Sequence, residues 1–214
     1  MRIGLFGGTF DPPHVGHLML AEWARERLSL DRVLFVPAGQ PPHKSRTRVS
    51  AAAARLAMTR LAVRGHPAFE VSAAELAGEG PSFTLDTVRA FVARAPRARF
   101  FLLMGADSLD DFHRWREPQR ILALATLAVG GRPGAAGPGG RLGSGRVVWV
   151  GNPGIDVSSR VIRQRARAGR SLRYLVPDAV ARYIARHRLY RARPSGGVGA
   201  RAGAYARAPR ARRA

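Results

Sequence analysis

The sequence predicts an α/β protein, a parallel sheet wrapped by helices. Two observations carry this. Short apolar runs alternate with longer amphipathic stretches along most of the chain. The first apolar run also leads through a Gly- and Pro-rich turn straight into a helical stretch, the unit from which Rossmann-like sheets are built. In such sheets ligands sit beyond the carboxyl ends of the strands, so the first turn falls on the functional edge.

The elements follow in order. Arg2–Phe6 is a short buried strand through Ile3, Leu5 and Phe6, and Gly16–Leu28 is the amphipathic helix after the turn. Val33–Pro37 and Phe69–Val71 read as strands on either side of a helix at Ser50–Val63. A helix at Thr84–Ala93 precedes the apolar strand Phe100–Met104. A helix at Glu117–Ala123 and the strands Thr126–Gly130 and Val147–Val150 continue the alternation. Two helices close it, Ser159–Ala168 and Pro177–Arg188, the second with proline at its first turn, where the missing N–H costs nothing. Gly130 to Gly145 is rich in Gly, Pro and Arg and reads as a surface loop; its glycines do not form a G-x-G-x-x-G fingerprint between strand and helix. Residues 192–214 are low-complexity Ala, Arg, Gly and Pro, expected to be disordered, which leaves 1–191 as one catalytic-sized domain.

The chain has 214 residues, enough for a substantial single core. It has no cysteine, which excludes disulfides, thiolate metal sites and a cysteine nucleophile. It opens almost directly on a strand and holds no apolar run near the roughly 20 residues of a membrane helix, so a cytoplasmic protein is expected. The net charge is +22, with Lys44 the single lysine and six arginines but no acid in the tail. A basic surface attracts nucleic acid; compositional bias together with phosphate-bearing small substrates accounts for it better.

Gly8-Thr9-Phe10-Asp11-Pro12-Pro13-His14-Val15-Gly16-His17 fits G-x-F-x-P-x-H-x-G-H. Strand, turn and helix start form an anion cradle: backbone N–H groups and the positive end of the helix dipole face the turn. His14 and His17, three apart, project from one side of that helix start. There is no H-E-x-x-H and no P-loop.

Three further segments carry polar groups to plausible places. Ser158 and Ser159 open a helix that carries Arg160 and Arg163 on one face, a second anion site. The strand ending Met104-Gly105 is followed by Asp107-Ser108, either of which can cap a helix, and then by Trp115. Gly80-Pro81-Ser82-Phe83-Thr84 leads into a helix whose N–H groups suit a carboxylate, with a simple cap as the plainer reading.

Together these segments resemble the nucleotidyltransferases with an H-x-G-H motif, relatives of class I aminoacyl-tRNA synthetases, and among them the bacterial nicotinate-nucleotide adenylyltransferases. The resemblance runs from Met1 to Arg191. It implies adenylyl transfer from ATP to nicotinate mononucleotide. It assigns His14, His17 and Arg163 to catalysis, and Gly7, Gly8, Thr9, Phe10, Gly16, Asp107, Ser158 and Ser159 to ATP binding beside them. Thr84 and Trp115 fall at the nicotinate end, and Lys44, in Pro41-Pro42-His43-Lys44, near its phosphate. Magnesium is implied with ATP, with no protein ligand assigned. Arg116 departs from the pattern, standing where many relatives have a second aromatic. The alternatives are a sister transferase acting on nicotinamide mononucleotide and, in another class, a basic nucleic-acid-binding protein. Phosphopantetheine transferases have Thr where this chain has His14.

Overall fold

The computed structural model describes residues 1–40, 49–76, 80, 82–131 and 146–191. Its centre is a six-stranded sheet in the order β3-β2-β1-β4-β5-β6. The strands are β1 (Arg2–Gly8), β2 (Arg32–Pro37), β3 (Phe69–Val71), β4 (Arg99–Gly105), β5 (Ala125–Gly130) and β6 (Val147–Trp149). Every pairing is parallel. The order reverses between β1 and β4, and that reversal opens a crevice at their carboxyl ends.

The helices are α1 (Val15–Arg27), α2 (Ala52–Val63), α3 (Thr84–Arg94), α4 (Ala106–Asp110), α5 (Pro118–Leu124), α6 (Ser159–Arg167) and α7 (Asp178–Arg186). The side-chain alternation of the strands divides the core. Phe6, Phe35, Phe101 and Leu103 pack with Leu20, Ala21 and Ala24 of α1 on one face. Ile3, Leu5, Leu102 and Leu127 pack with Leu85 and Val88 of α3 and Ile121 of α5 on the other. A third cluster sets Met58 of α2 against Ile162 of α6 and Val180 and Ile184 of α7, so the C-terminal helices lean on α2 beside the cradle.

The predicted strands and helices are present with small shifts at their ends. Two elements were not foreseen: α4 and a single 3-10 turn at Phe112–Arg114. The plainer reading of Asp107 or Ser108 as a cap does not hold, because α4 starts at Ala106 with Gly105 in the N-cap position. The loop predicted after Gly130 falls almost wholly outside the described residues, as do Lys44 and the 192–214 tail. Among the described residues no helix is long and apolar enough to cross a membrane.

Candidate active site

The crevice beyond β1 and β4 is a cleft of ≈ 580 Å³. It is lined by Gly7, Gly8, Thr9, His14, Gly16 and His17 from the cradle, and by Thr84, Asp107 and Trp115 from beyond α3 and β4. These residues come from segments about a hundred positions apart in the chain, and the parallel sheet brings their strand and helix ends to one edge.

His14 holds the N-cap position of α1 in extended backbone. Its N–H donates to Nδ1 of His17 at 3.1 Å. An accepting Nδ1 carries no proton, so the N–H of the His17 ring is on Nε2. The two imidazoles stack at 3.7 Å between centroids. Phe6 and Phe10 meet the His17 ring edge-on at 5.9 and 5.1 Å. Phe10 is thus buried beneath the cradle as a prop for His17, with its backbone at φ 47 in the left-handed region that bulky residues avoid. Such strain is held only where the surroundings determine it, and it clusters at functional turns.

Gly16 sits where a side chain would be crowded. A Cβ there would lie 3.0 Å from Val157 and 3.2 Å from Nδ1 of His14. The first-turn N–H groups of α1 are not uniformly open, as a simple cradle would have them. Val15 donates to the Leu175 carbonyl at 3.0 Å and His17 to the His14 carbonyl at 2.9 Å, while Gly16 lines the cleft.

The second anion segment is fastened to the cradle through Pro12 and Asp11, and Ser158, Ser159 and Arg163 are not among the residues that line the cleft. Ser158 caps α6, accepting from the Val161 N–H at 3.4 Å. Ser159 Oγ donates to the Pro12 carbonyl at 2.8 Å, and Arg163 donates to the Asp11 carbonyl at 2.7 Å. The guanidinium carries five donors in a fixed fork, so the Asp11 contact occupies a fraction of its capacity.

Sequence reasoning missed what holds the turn itself. Arg55 is 2% exposed and donates to the carbonyls of Thr9, Ala38, Gly39 and Ser50 at 2.6–3.0 Å. Burial lowers its pKa, opposed by the nearby Asp11 carboxylate. Asp11, 3% exposed, accepts from the Ser50 N–H at 3.1 Å and the Tyr190 hydroxyl at 2.7 Å. Burial and the Asp11 charge together push the Tyr190 phenol far up, so it stays a donor. Of the two arginines in this apolar helix, Arg60 is exposed and Arg55 faces the core, and a charge on a core-facing position must find partners.

Glu75, which lines the cleft, is also unforeseen. It accepts from Thr87 Oγ1 at 2.6 Å, and burial raises its pKa against the hydrogen bonds of Thr87, Ser82 and Gly39. Ser82 Oγ accepts from the Gly39 N–H at 3.2 Å, so the turn before α3 is tied to the end of β2. Phe83 is the N-cap of α3; its carbonyl takes the Asp86 and Thr87 N–H groups at 3.1 and 3.3 Å, and helix geometry leaves those of Thr84 and Leu85 without intrahelical carbonyls. Among the described residues no three His, Cys, Asp or Glu side chains converge as a metal site.

Switch-point cleft, paired histidines and two helix starts over it define a nucleotidyltransferase, and residues 5–165 match the cytidylyltransferase-like family. A relative from Thermomicrobium roseum, named "Probable nicotinate-nucleotide adenylyltransferase", is 46% identical over 199 residues, 89% of this chain and 92% of that protein. One of the same name from Thermus thermophilus is 48% identical over 191 residues, covering 89% of this chain and all 100% of its own. The chain belongs to this family of nicotinate-nucleotide adenylyltransferases. Its fold matches a Plasmodium falciparum nicotinic acid mononucleotide adenylyltransferase complexed with NaAD, with TM-score 0.72 at 16% identity over 88% of this chain and 97% of that one. The same Plasmodium protein complexed with APC gives TM-score 0.69 at 15% identity over 88% and 96%. At these identities the likeness is one of fold.

Proposed function

We propose that this chain moves the adenylyl group of ATP onto the 5′-phosphate of nicotinate mononucleotide, releasing pyrophosphate and forming nicotinate adenine dinucleotide for NAD biosynthesis in the cytoplasm. The observation that carries the reading is the His14–His17 pair. It is stacked, its tautomer is set by the His14 N–H, and it lines a cleft at the sheet's switch point.

The acceptor's phosphate oxygen attacks the α-phosphorus of ATP. The bond from that phosphorus to the oxygen bridging to the β-phosphate breaks, and its electron pair leaves with pyrophosphate. A phosphate monoester has its second pKa at about 6, so the nucleophile is already ionised near neutral pH and needs no general base. Catalysis is then positioning and charge stabilisation. In this reading Nε2–H of His17 donates to an α-phosphate oxygen as charge gathers there, and His14 contacts the polyphosphate. Gly7, Gly8 and Thr9 let the nucleotide approach the backbone, and Gly16 and Asp107 line the same cleft. Ser158, Ser159 and Arg163, on the helix start fastened to the cradle through Pro12 and Asp11, receive the leaving pyrophosphate. Thr84 and the first turn of α3 receive the nicotinate carboxylate, and Trp115 covers the pyridine ring.

Magnesium fits this donor set as an ion carried by ATP. Phosphate oxygens and water would hold it there, with no protein ligand assigned. When bound it neutralises phosphate charge.

Product analysis tests the proposal. Purified protein with magnesium-ATP and nicotinate mononucleotide should yield the dinucleotide and pyrophosphate. No dinucleotide from either nicotinate or nicotinamide mononucleotide would overturn it.

A further inference from the structure

We propose that Arg116 sets the preference for a carboxylate over a carboxamide on the pyridine ring of the acceptor. This rests on the adenylyl-transfer reading of the cleft and goes beyond it by naming a side chain that reading does not use.

After β4 the chain runs through α4 and the 3-10 turn and comes back over the start of α3. Arg116 closes that return. Its guanidinium carbon lies 5.0 Å from the centroid of the Phe83 ring, the N-cap residue of α3. Its Nη1 donates to Asp86 Oδ2 at 3.2 Å, in the first turn of the same helix. It lines the same cleft as Thr84 and Trp115. A cation is thereby fixed beside the positive end of α3, where electrostatics alone would repel it. Asp86 on one side and the Phe83 ring on the other hold it there.

The charged residues lining the cleft, among the described residues, are Glu75, Asp107, Arg114 and Arg116, while Asp86 and Glu117 face Arg116 itself, Glu117 Oε1 at 3.9 Å from its Nε. Glu75 lines it but is half-buried and pushed toward its neutral form by desolvation. Arg114 also lines it, but its side chain is 71% exposed and paired to Asp111 at 3.6 Å. Arg116 is 48% exposed and seated on α3 itself. Asp86 occupies one of its five N–H donors. A carboxylate arriving at the α3 start meets both helix N–H groups and a guanidinium; a carboxamide gains far less from either, having no net charge. Because Arg116 is half exposed, solvent screens the gain, and a selectivity of about tenfold is the scale expected of one charge-assisted hydrogen bond so placed.

The test measures kcat/KM for nicotinate and nicotinamide mononucleotide separately, in the wild type, Arg116→Gln and Arg116→Lys, at low and high salt. Arg116→Gln should lower the acid-to-amide ratio about tenfold, mainly through KM for the acid, and Arg116→Lys should restore part of it. The wild-type ratio should fall with salt and that of Arg116→Gln should stay flat. Equal losses on both acceptors, with the ratio unchanged, would show that Arg116 merely fastens the Trp115 turn to α3 and would overturn the proposal. A wild type that adenylylates neither acceptor would instead remove the functional reading beneath it.

Discussion

The Tyr190 hydroxyl donates to Asp11 Oδ1 at 2.7 Å, across 179 residues of chain. The last described turn of the protein thus holds the cradle that follows its first strand. The same carboxylate takes the Ser50 N–H, and Arg55 binds the carbonyl of Thr9 two residues before it. The loop that presents His14 and His17 is over-determined by buried polar contacts from α2, α6 and the segment after α7. This is the condition under which a left-handed Phe10 persists.

Removing that hydroxyl should be costly beyond its size. Tyr190→Phe leaves a buried carboxylate short of a donor, a loss of about 1–3 kcal/mol in stability. If the hydroxyl also positions the histidines, kcat should fall severalfold while KM for nicotinate mononucleotide changes little, since its bond is to the cradle and not to Thr84 or Trp115. Chemical denaturation and steady-state kinetics on the same variant separate the two effects. Unchanged stability would show that water or a neighbour replaces the bond.

His17→Ala should lose roughly 10²–10³ in kcat, the scale for one preorganised donor to charge developing in a transition state. His17→Asn, which keeps a donor on a shorter side chain, should recover part of that. Near-normal turnover by the alanine variant would remove His17 from the mechanism.

Glu75 gives the protein a pH dependence of known sign. Its pKa is raised in the folded state, with burial as the first cause. The folded state therefore binds this proton more tightly than the unfolded chain does. The associated stability is fully present below the ordinary glutamate range, about pH 4, and is lost as pH rises through the raised value. Against Glu75→Gln, which cannot titrate, the wild type should lose relative Tm across that window and run parallel to the variant above it. Parallel curves from acid upward would mean that Glu75 ionises as an ordinary carboxyl.

Much of the fold and of the cradle is legible in the amino-acid sequence. The strands announce themselves because a parallel sheet buried on both faces needs continuous apolar runs such as Phe100–Met104. The cradle is legible because its function is tied to local spacing, with His14, Gly16 and His17 within one helical turn. Arg55, Glu75 and Tyr190 are not, because their partners are distant in sequence and no periodicity encodes a bond between Tyr190 and Asp11. Asp11 sits inside the motif, yet its role is visible only when the chain's end is brought to it. The short α4 escapes because Asp107 and Ser108 look like caps, whereas Gly105 already starts the helix. Arg116 is visible as a departure, but its seat on Phe83 and Asp86 is tertiary.

The Tyr190–Asp11 bond also defines where the chain can be cut. Ending the protein after Arg191 removes residues 192–214 with all six of the tail's arginines but keeps Tyr190. The bond to Asp11 and the packing of α7 on α2 both survive, so kcat/KM should match the full chain. Ending it after Leu189 is three residues from Arg186, the last of α7, and spares the helix. That cut takes the phenol, so it should reproduce the stability and kcat losses of Tyr190→Phe and add the loss of the ring. If the tail contributed to the reaction by gathering anionic substrate, the first cut would already lower kcat/KM. That loss would shrink as salt rises, since attraction between exposed charges is screened over about 8 Å at physiological ionic strength. The two truncations, assayed at two salt concentrations, therefore separate a tail that steers substrate from an end-segment that holds the active-site turn.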